Sequence, residues 1–137
     1  MKLGVAIVGC GLIGIKRAET LDDMVLRVSV DVDLVKAEAL ASRFPGCRPM
    51  TDWRDAVNDK QVNVVIVSTP HNSLAEITAG AIAAGCHVLV KKPAARFMAE
   101  LDPLITMAER YNVLVRVGFN HRCHRAFQKM REIVDAG

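Results

Sequence analysis

The chain has 137 residues, of which 51% are hydrophobic and 24% charged, the make-up of one globular domain with room for a full apolar core. A net charge of +3 is too small and too evenly spread to point to nucleic acid; Arg116, Arg122, Arg125, Lys129 and Arg131, gathered near the C-terminus, read as a solvated helix face. No apolar run reaches the about 18 residues of a membrane span, and MKLGVAIVGCGLIG carries no signal-peptidase site, so no membrane partner and a cytoplasmic location are expected.

The first strand is expected over residues 3–8, LGVAIV, a continuous apolar run of the kind covered on both faces. It runs straight into GCGLIG, where Gly9, Gly11 and Gly14 fit G-x-G-x-x-G. Gly9 permits a tight turn, Gly11 lets the backbone approach a pyrophosphate, and Gly14 lets the next helix pack closely on the sheet. That helix is expected over residues 12–22. Leu12 and Ile13 begin it, so their unpaired N–H groups and the positive end of the helix dipole face the phosphates.

A second strand over residues 26–31 ends on Asp31, the spacing of an acid that accepts hydrogen bonds from a ribose 2′-OH and repels a 2′-phosphate. Val32 follows where an arginine would favour the phosphorylated cofactor. These residues favour NAD over NADP. Asp33 is the competing acid, but its place before LVKAEAL suits the N-cap of a helix over residues 34–43. After the Pro45–Gly46 turn a short strand is expected at Arg48–Met50, and Asp52 before WRDAV is a second N-cap.

Further strands are expected over residues 62–67, 86–90 and 113–117, with helices over 72–84, 96–111 and 122–136. Strand–helix–strand repetition gives right-handed crossovers and a parallel sheet. The fold class is therefore α/β, a doubly wound, Rossmann-type parallel sheet with helices on both faces. Cys10, Cys47, Cys86 and Cys123 form no C-x-x-C pair, so neither a zinc site nor a redox motif is indicated. Cys10 and Cys86, among strand residues, read as small buried thiols in a reducing compartment. His87 begins a buried strand and reads as structural. His121 and His124 have the spacing of a helix surface and lack further metal ligands.

Beyond the second strand the motifs become more specific. VVIVSTPHNSLAEITAGAIAAGCHVLVKKP, residues 64–93, and VRVGFNHRCHRAFQKMREIVDAG, from Val115 onward, resemble the Gfo/Idh/MocA family of oxidoreductases. In that family a strand ends in T-P, then come a helix, A-G-K-H-V, a strand with E-K-P, and G-F-N-x-R. Thr69–Pro70, Ala84–Gly85–Cys86–His87–Val88, Lys92–Pro93 and Asn120–His121–Arg122 take those places. The similarity runs from residue 3 to the last residue.

The resemblance implies a dinucleotide-binding domain over residues 1–120, and a helix over 121–137 leading toward a C-terminal substrate domain absent from this chain. It implies hydride transfer between NAD and a sugar- or polyol-type alcohol, with a stand-alone, non-catalytic dinucleotide-binding or interaction module as the alternative. Ser68, Thr69 and Pro70 would line the cofactor, with His71 and Asn72 nearby. Lys92, anchored by Pro93, takes the place of the family's catalytic lysine, which binds the nicotinamide ribose and substrate hydroxyls; its charge would stabilise an alcohol oxygen as hydride leaves. Asn120 and Arg122 follow as further contacts. Four positions depart from the family pattern: Lys91 replaces the usual glutamate, Leu74 a common histidine, Cys123 an aromatic and Arg125 a frequent proline. Apolar surface left without the second domain is expected to favour a homo-oligomer.

Overall fold

The apolar runs become the strands of a single sheet. The computed structural model describes residues 2–137. Among these, β1 (Gly4–Val8), β2 (Val25–Val30), β3 (Arg48–Met50), β4 (Val64–Val67), β5 (His87–Val90) and β6 (Val115–Val117) form a six-stranded sheet in the order β3-β2-β1-β4-β5-β6. Every pairing is parallel. This is the doubly wound α/β sheet expected, and the strand order reverses between β1 and β4.

Alternation along the strands divides the core. Val5, Ile7, Leu26 and Ile66 pack with Ala18 of α1 (Leu12–Ala18) and Ala37 and Leu40 of α2 (Leu34–Ala41). Ala6, Val8, Val28, Val30, Val65, Val67, Val88 and Val90 face the other way. They meet Ala56 of α3 (Trp53–Val57), Ile77 and Ile82 of α4 (Leu74–Ala83) and Leu104 of α5 (Asp102–Tyr111). All five residues of β1 are buried, as a central parallel strand requires. The buried Ser29 hydroxyl donates to the Ala37 carbonyl at 2.8 Å, which satisfies a polar group inside the sheet–helix layer. Cys10 and Cys86 lie just outside β1 and β5 and are buried.

Both aspartate caps form: Asp33 accepts from the Val35 N–H at 3.1 Å and Asp52 from the Arg54 N–H at 2.9 Å. All five predicted helices are shorter than the periodicity predicts, α2 and α4 by two or three residues and three others with an identifiable local cause. α1 stops at Ala18, where the Thr20 hydroxyl donates to the Arg17 carbonyl at 3.2 Å and Asp22 turns the chain at φ 48°. The helix expected from residue 96 begins at Asp102. Pro103 suits a first turn because it has no N–H to place in a ladder further back. Ahead of it the Glu100 carboxylate accepts from the Arg96 and Phe97 N–H groups at 2.8 and 3.3 Å. The last helix, α6, spans Arg125–Ala136. It starts late because His124 is extended and its Nδ1 accepts the Ala126 N–H at 3.2 Å.

The start of β1 is clasped by the approach to β4. The Gly4 N–H donates to Asn63 Oδ1 at 2.9 Å, and the Asn63 N–H donates to the Gly4 carbonyl at 2.8 Å. A Cβ on Gly4 would stand 1.7 Å from the Gln61 carbonyl oxygen. Both partners are backbone, so neither yields without moving a strand. Gly4→Ala should therefore lower unfolding free energy in urea by about 1–3 kcal/mol, with the m-value unchanged.

Candidate functional site

Reversal of strand order leaves a crevice outside the carboxyl ends of β1 and β4, where ligands of open α/β sheets bind. Here it is a cleft of about 550 Å³ lined by Gly9, Gly11, Asp31, Ser68, Thr69 and Pro70, among others. Two glycines make it by close approach. Gly9 has φ +96°, and a Cβ there would lie 2.7 Å from the Ser68 carbonyl carbon. A Cβ on Gly14 would lie 2.0 Å from the Gly9 carbonyl oxygen. The turn, α1 and the end of β4 are thereby pressed together. A Cβ on Gly11, in contrast, would meet nothing within 4 Å. The cradle is therefore open at the one glycine whose backbone lines the cleft away from these contacts.

The Asp31 carboxylate is held by two backbone donors, Cys10 N–H to Oδ2 at 2.9 Å and Asp33 N–H to Oδ1 at 3.0 Å. Each oxygen keeps a further lone pair for a ribose hydroxyl. Cys10 itself faces inward: its thiol is buried and donates to the Val30 carbonyl at 3.3 Å. Burial first, then the Asp31 carboxylate, push its pKa up to about 12. Across the cleft the Ser68 N–H donates to the Val8 carbonyl at 2.7 Å. The Ser73 hydroxyl spans Thr69 Oγ1 at 2.9 Å and the Pro70 carbonyl at 3.1 Å, which fixes the Ser68–Pro70 turn against the start of α4.

Not every expected contact enters this cleft. Leu12 and Ile13 begin α1 but are 67% and 38% exposed and lie outside the lining. Lys92, Pro93, Asn120 and Arg122 lie one and two strands further along the same edge. The Lys91 N–H donates to the Val67 carbonyl at 2.8 Å and the Gly118 N–H to the Val90 carbonyl at 2.9 Å, so the ends of β4, β5 and β6 stand side by side. The exposed Lys92 follows β5, joined to Pro93 by a cis peptide. Asn120 Oδ1 accepts from Arg17 Nη2 of α1 at 2.5 Å. Arg122 is exposed.

Three of the four histidines have structural occupations. His87 Nδ1 accepts the Leu114 N–H at 3.0 Å, tying β5 to the approach of β6. His121 stacks on Phe127, with ring centroids 5.4 Å apart, and His124 caps α6. Leu74, where the resemblance expects a histidine, is fully buried in the core. Among the described residues no three His, Cys, Asp or Glu side chains cluster to hold a metal.

Sequence reasoning missed Lys36, Thr51 and Trp53, which line the cleft. Thr51 and Trp53 flank the Asp52 cap, so recognising that cap as the rim of the crevice would have found both. Lys36, in the first turn of α2, lies 3.9 Å from Asp33 Oδ2. Helix periodicity alone gives no sign that it shares a rim with Asp31.

A family model described as "Oxidoreductase family, NAD-binding Rossmann fold" matches residues 3–119. The myo-inositol 2-dehydrogenase of Thermotoga maritima is 29% identical over 140 residues, covering 100% of this chain and 41% of its own length. The inositol 2-dehydrogenase of Mycolicibacterium smegmatis is 30% identical, with 98% of this chain and 41% of the relative covered. Among solved structures, GenD2 from gentamicin A biosynthesis in complex with NAD has a TM-score of 0.92 and 36% identity, over 96% of this chain and 38% of that one. The chain thus spans well under half the length of these relatives.

The buried thiol beside the cradle has a measurable signature. An unfolded cysteine ionises near about 8.5, so above that pH the unfolded chain releases a proton that folded Cys10 keeps. Its contribution to stability is complete below that pH and is lost as pH rises toward about 12, at up to about 1.4 kcal/mol per unit. Cys10→Ala should therefore show a shallower loss of stability in denaturation curves taken from pH 8 upward. At pH 8 a thiol reagent should label the exposed Cys123 first and reach the buried Cys10 and Cys86 only on unfolding.

Proposed function

The chain belongs to the Gfo/Idh/MocA oxidoreductase family, of which it comprises the NAD-binding Rossmann domain, and from that premise we propose that it is the cofactor-holding half of an enzyme oxidising a sugar- or polyol-type alcohol. The observation that carries this reading is the open cradle at Gly11, set between the doubly anchored Asp31 carboxylate and the braced Ser68–Pro70 turn. Bound NAD would supply a two-electron acceptor for the hydride of the alcohol carbon, with the hydroxyl proton passing to a base or to solvent and a carbonyl left. The chain's own part is positioning and charge. The backbone at Gly9 and Gly11 would hold the pyrophosphate, Asp31 the ribose hydroxyls, and Ser68–Pro70 the middle of the dinucleotide. Lys92 would be the catalytic residue of this chain, its ammonium placed to stabilise the alcohol oxygen as negative charge develops there. Pro93, Asn120 and Arg122 would frame that corner, with Leu12 and Ile13 offering backbone N–H groups.

Residues 1–120 would form the cofactor domain, and 121–137 would lead toward a substrate domain. Two facts support this division. The relatives are more than twice as long as the matched region, and α6 is exposed along its whole length, including Phe127, Met130, Ile133 and Val134. Among the described residues no helix is long and apolar enough to cross a membrane. The four cysteines are all free thiols, which agrees with a reducing, cytoplasmic setting.

A second reading of the cofactor has one observation in its favour: Lys36 puts a cation on the rim that Asp31 occupies, where it would meet a 2′-phosphate. Calorimetric titration with NAD and NADP decides between them. NAD should bind more tightly, and Asp31→Ala should weaken it about tenfold, ~1.4 kcal/mol, while narrowing the gap to NADP. Tighter NADP binding that Lys36→Gln abolishes would establish the second reading. No heat with either cofactor at millimolar concentration would remove the first.

The apolar side of α6 also predicts self-association, since exposed apolar patches of this kind recruit partners. Static light scattering should show the mean mass rising with concentration, and Ile133→Glu should return it toward the monomer. A concentration-independent monomer in the unsubstituted chain would count against a homo-oligomer.

A further inference from the structure

The corner between β5 and β6 is charged in one sense only. Lys91 and Lys92 follow β5 directly. Leu89 packs with the α1-side cluster and Val90 with the opposite one, so strand alternation puts Lys91 on the side of α1. Arg17, in the last turn of α1, reaches the same corner. From the point where a Cβ of Gly118 would stand, Arg17 Nη2 is 3.0 Å away and the Val90 carbonyl oxygen, one residue before Lys91, is 3.5 Å away. Gly118 thus leaves space beneath the guanidinium, and Asn120 Oδ1 orients it.

No acid balances these cations. Among the described residues the ion pairs use other partners: Glu19, beyond the end of α1, is paired with Arg43, and Glu100, beyond β5, with Arg96. Among the described residues, none of Arg17, Lys91 and Lys92 has a carboxylate within salt-bridge distance. The pyrophosphate cradle does not require them either. It lies at the end of β1, two strands from β5, a lateral distance of roughly 10 Å at ordinary strand spacing. The unbalanced charge therefore stands where the nicotinamide end and the reacting alcohol would be.

We infer that the substrate is anionic: a polyhydroxylated molecule bearing a compact oxyanion, carboxylate or phosphate, that seats between Arg17 and Lys91. This rests on the dehydrogenase reading above and narrows it from neutral sugars and polyols to sugar acids or sugar phosphates. A planar guanidinium with one neighbouring ammonium group matches such a group by charge and by fork geometry. A neutral polyol would leave the cations mutually repelling.

The test is an amide NMR titration of the chain with D-gluconate, D-glucose 6-phosphate and myo-inositol at one ionic strength, with and without NADH. The anionic probes should shift the Lys91, Gly118 and Asn120 signals saturably at roughly 10 mM or below, and inositol at least tenfold more weakly. Which anion binds tighter tells carboxylate from phosphate. Lys91→Met should weaken the anionic probes about fivefold or more, and Arg17→Met likewise, each retaining the dispersed spectrum of the folded chain. Equal or tighter inositol binding would overturn the inference, as would no saturable shift at this corner. So would a loss of NADH affinity in Lys91→Met matching its loss of probe affinity, which would assign the lysine to the cofactor. NADH titrated alone reads the dehydrogenase proposal separately: its failure to bind would remove that proposal, while the probe shifts still decide whether the corner takes anions.

Discussion

Everything at the carboxyl edge depends on one close contact, the seating of Gly14 on the Gly9 carbonyl. With a Cβ distance of 2.0 Å at Gly14 and 2.7 Å at Gly9, any side chain at either position would push α1 off the end of β1 or β1 off β4. The cleft, the direction of α1 and the reach of Arg17 to Asn120 all follow from that seating. It also explains why the middle glycine differs. Gly11 has no protein atom to avoid, so its lack of a side chain preserves open space, whereas Gly9 and Gly14 are small because backbone occupies the position. Three glycines in one motif thus answer to two different constraints.

The parallel sheet covered on both faces was legible because such strands are written as continuous apolar runs, and β1, β4 and β5 are such runs. The ends of helices were less so. Periodicity carries no information on where a competing hydrogen bond will stop a helix, and α1, α5 and α6 are each bounded by a side chain acting on local backbone: Thr20, Glu100 and His124. Gly4 shows a second blind spot. Its reason is a carbonyl 57 residues later in the chain, at Gln61, which no local pattern encodes.

The candidate site divides in the same way. Gly9, Gly11, Asp31 and the Ser68–Pro70 turn were legible because their spacing along the chain reflects one strand–turn–helix unit and one strand end, and the structure brings them into one cleft. Lys36, Thr51 and Trp53 come from the first turn of α2 and the entry to α3, and meet Asp31 only through the packing of β2 against β3. Arg17 was invisible for a related reason. In sequence it is one more basic residue on a helix, and only the Gly118 turn, with its N–H on the Val90 carbonyl, brings the guanidinium to the end of β5.

Cys10 shows how a group that looks reactive is made compatible with a phosphate cradle. A thiolate between Gly9 and Gly11 would repel a pyrophosphate and the Asp31 carboxylate alike. The fold prevents this by turning the thiol inward, where burial and the neighbouring carboxylate keep it protonated to about pH 12. Meanwhile its backbone N–H points to Asp31 Oδ2. The residue therefore contributes its two halves to different tasks: the side chain fills the core beside Val30, and the amide fixes the acid that would read the ribose.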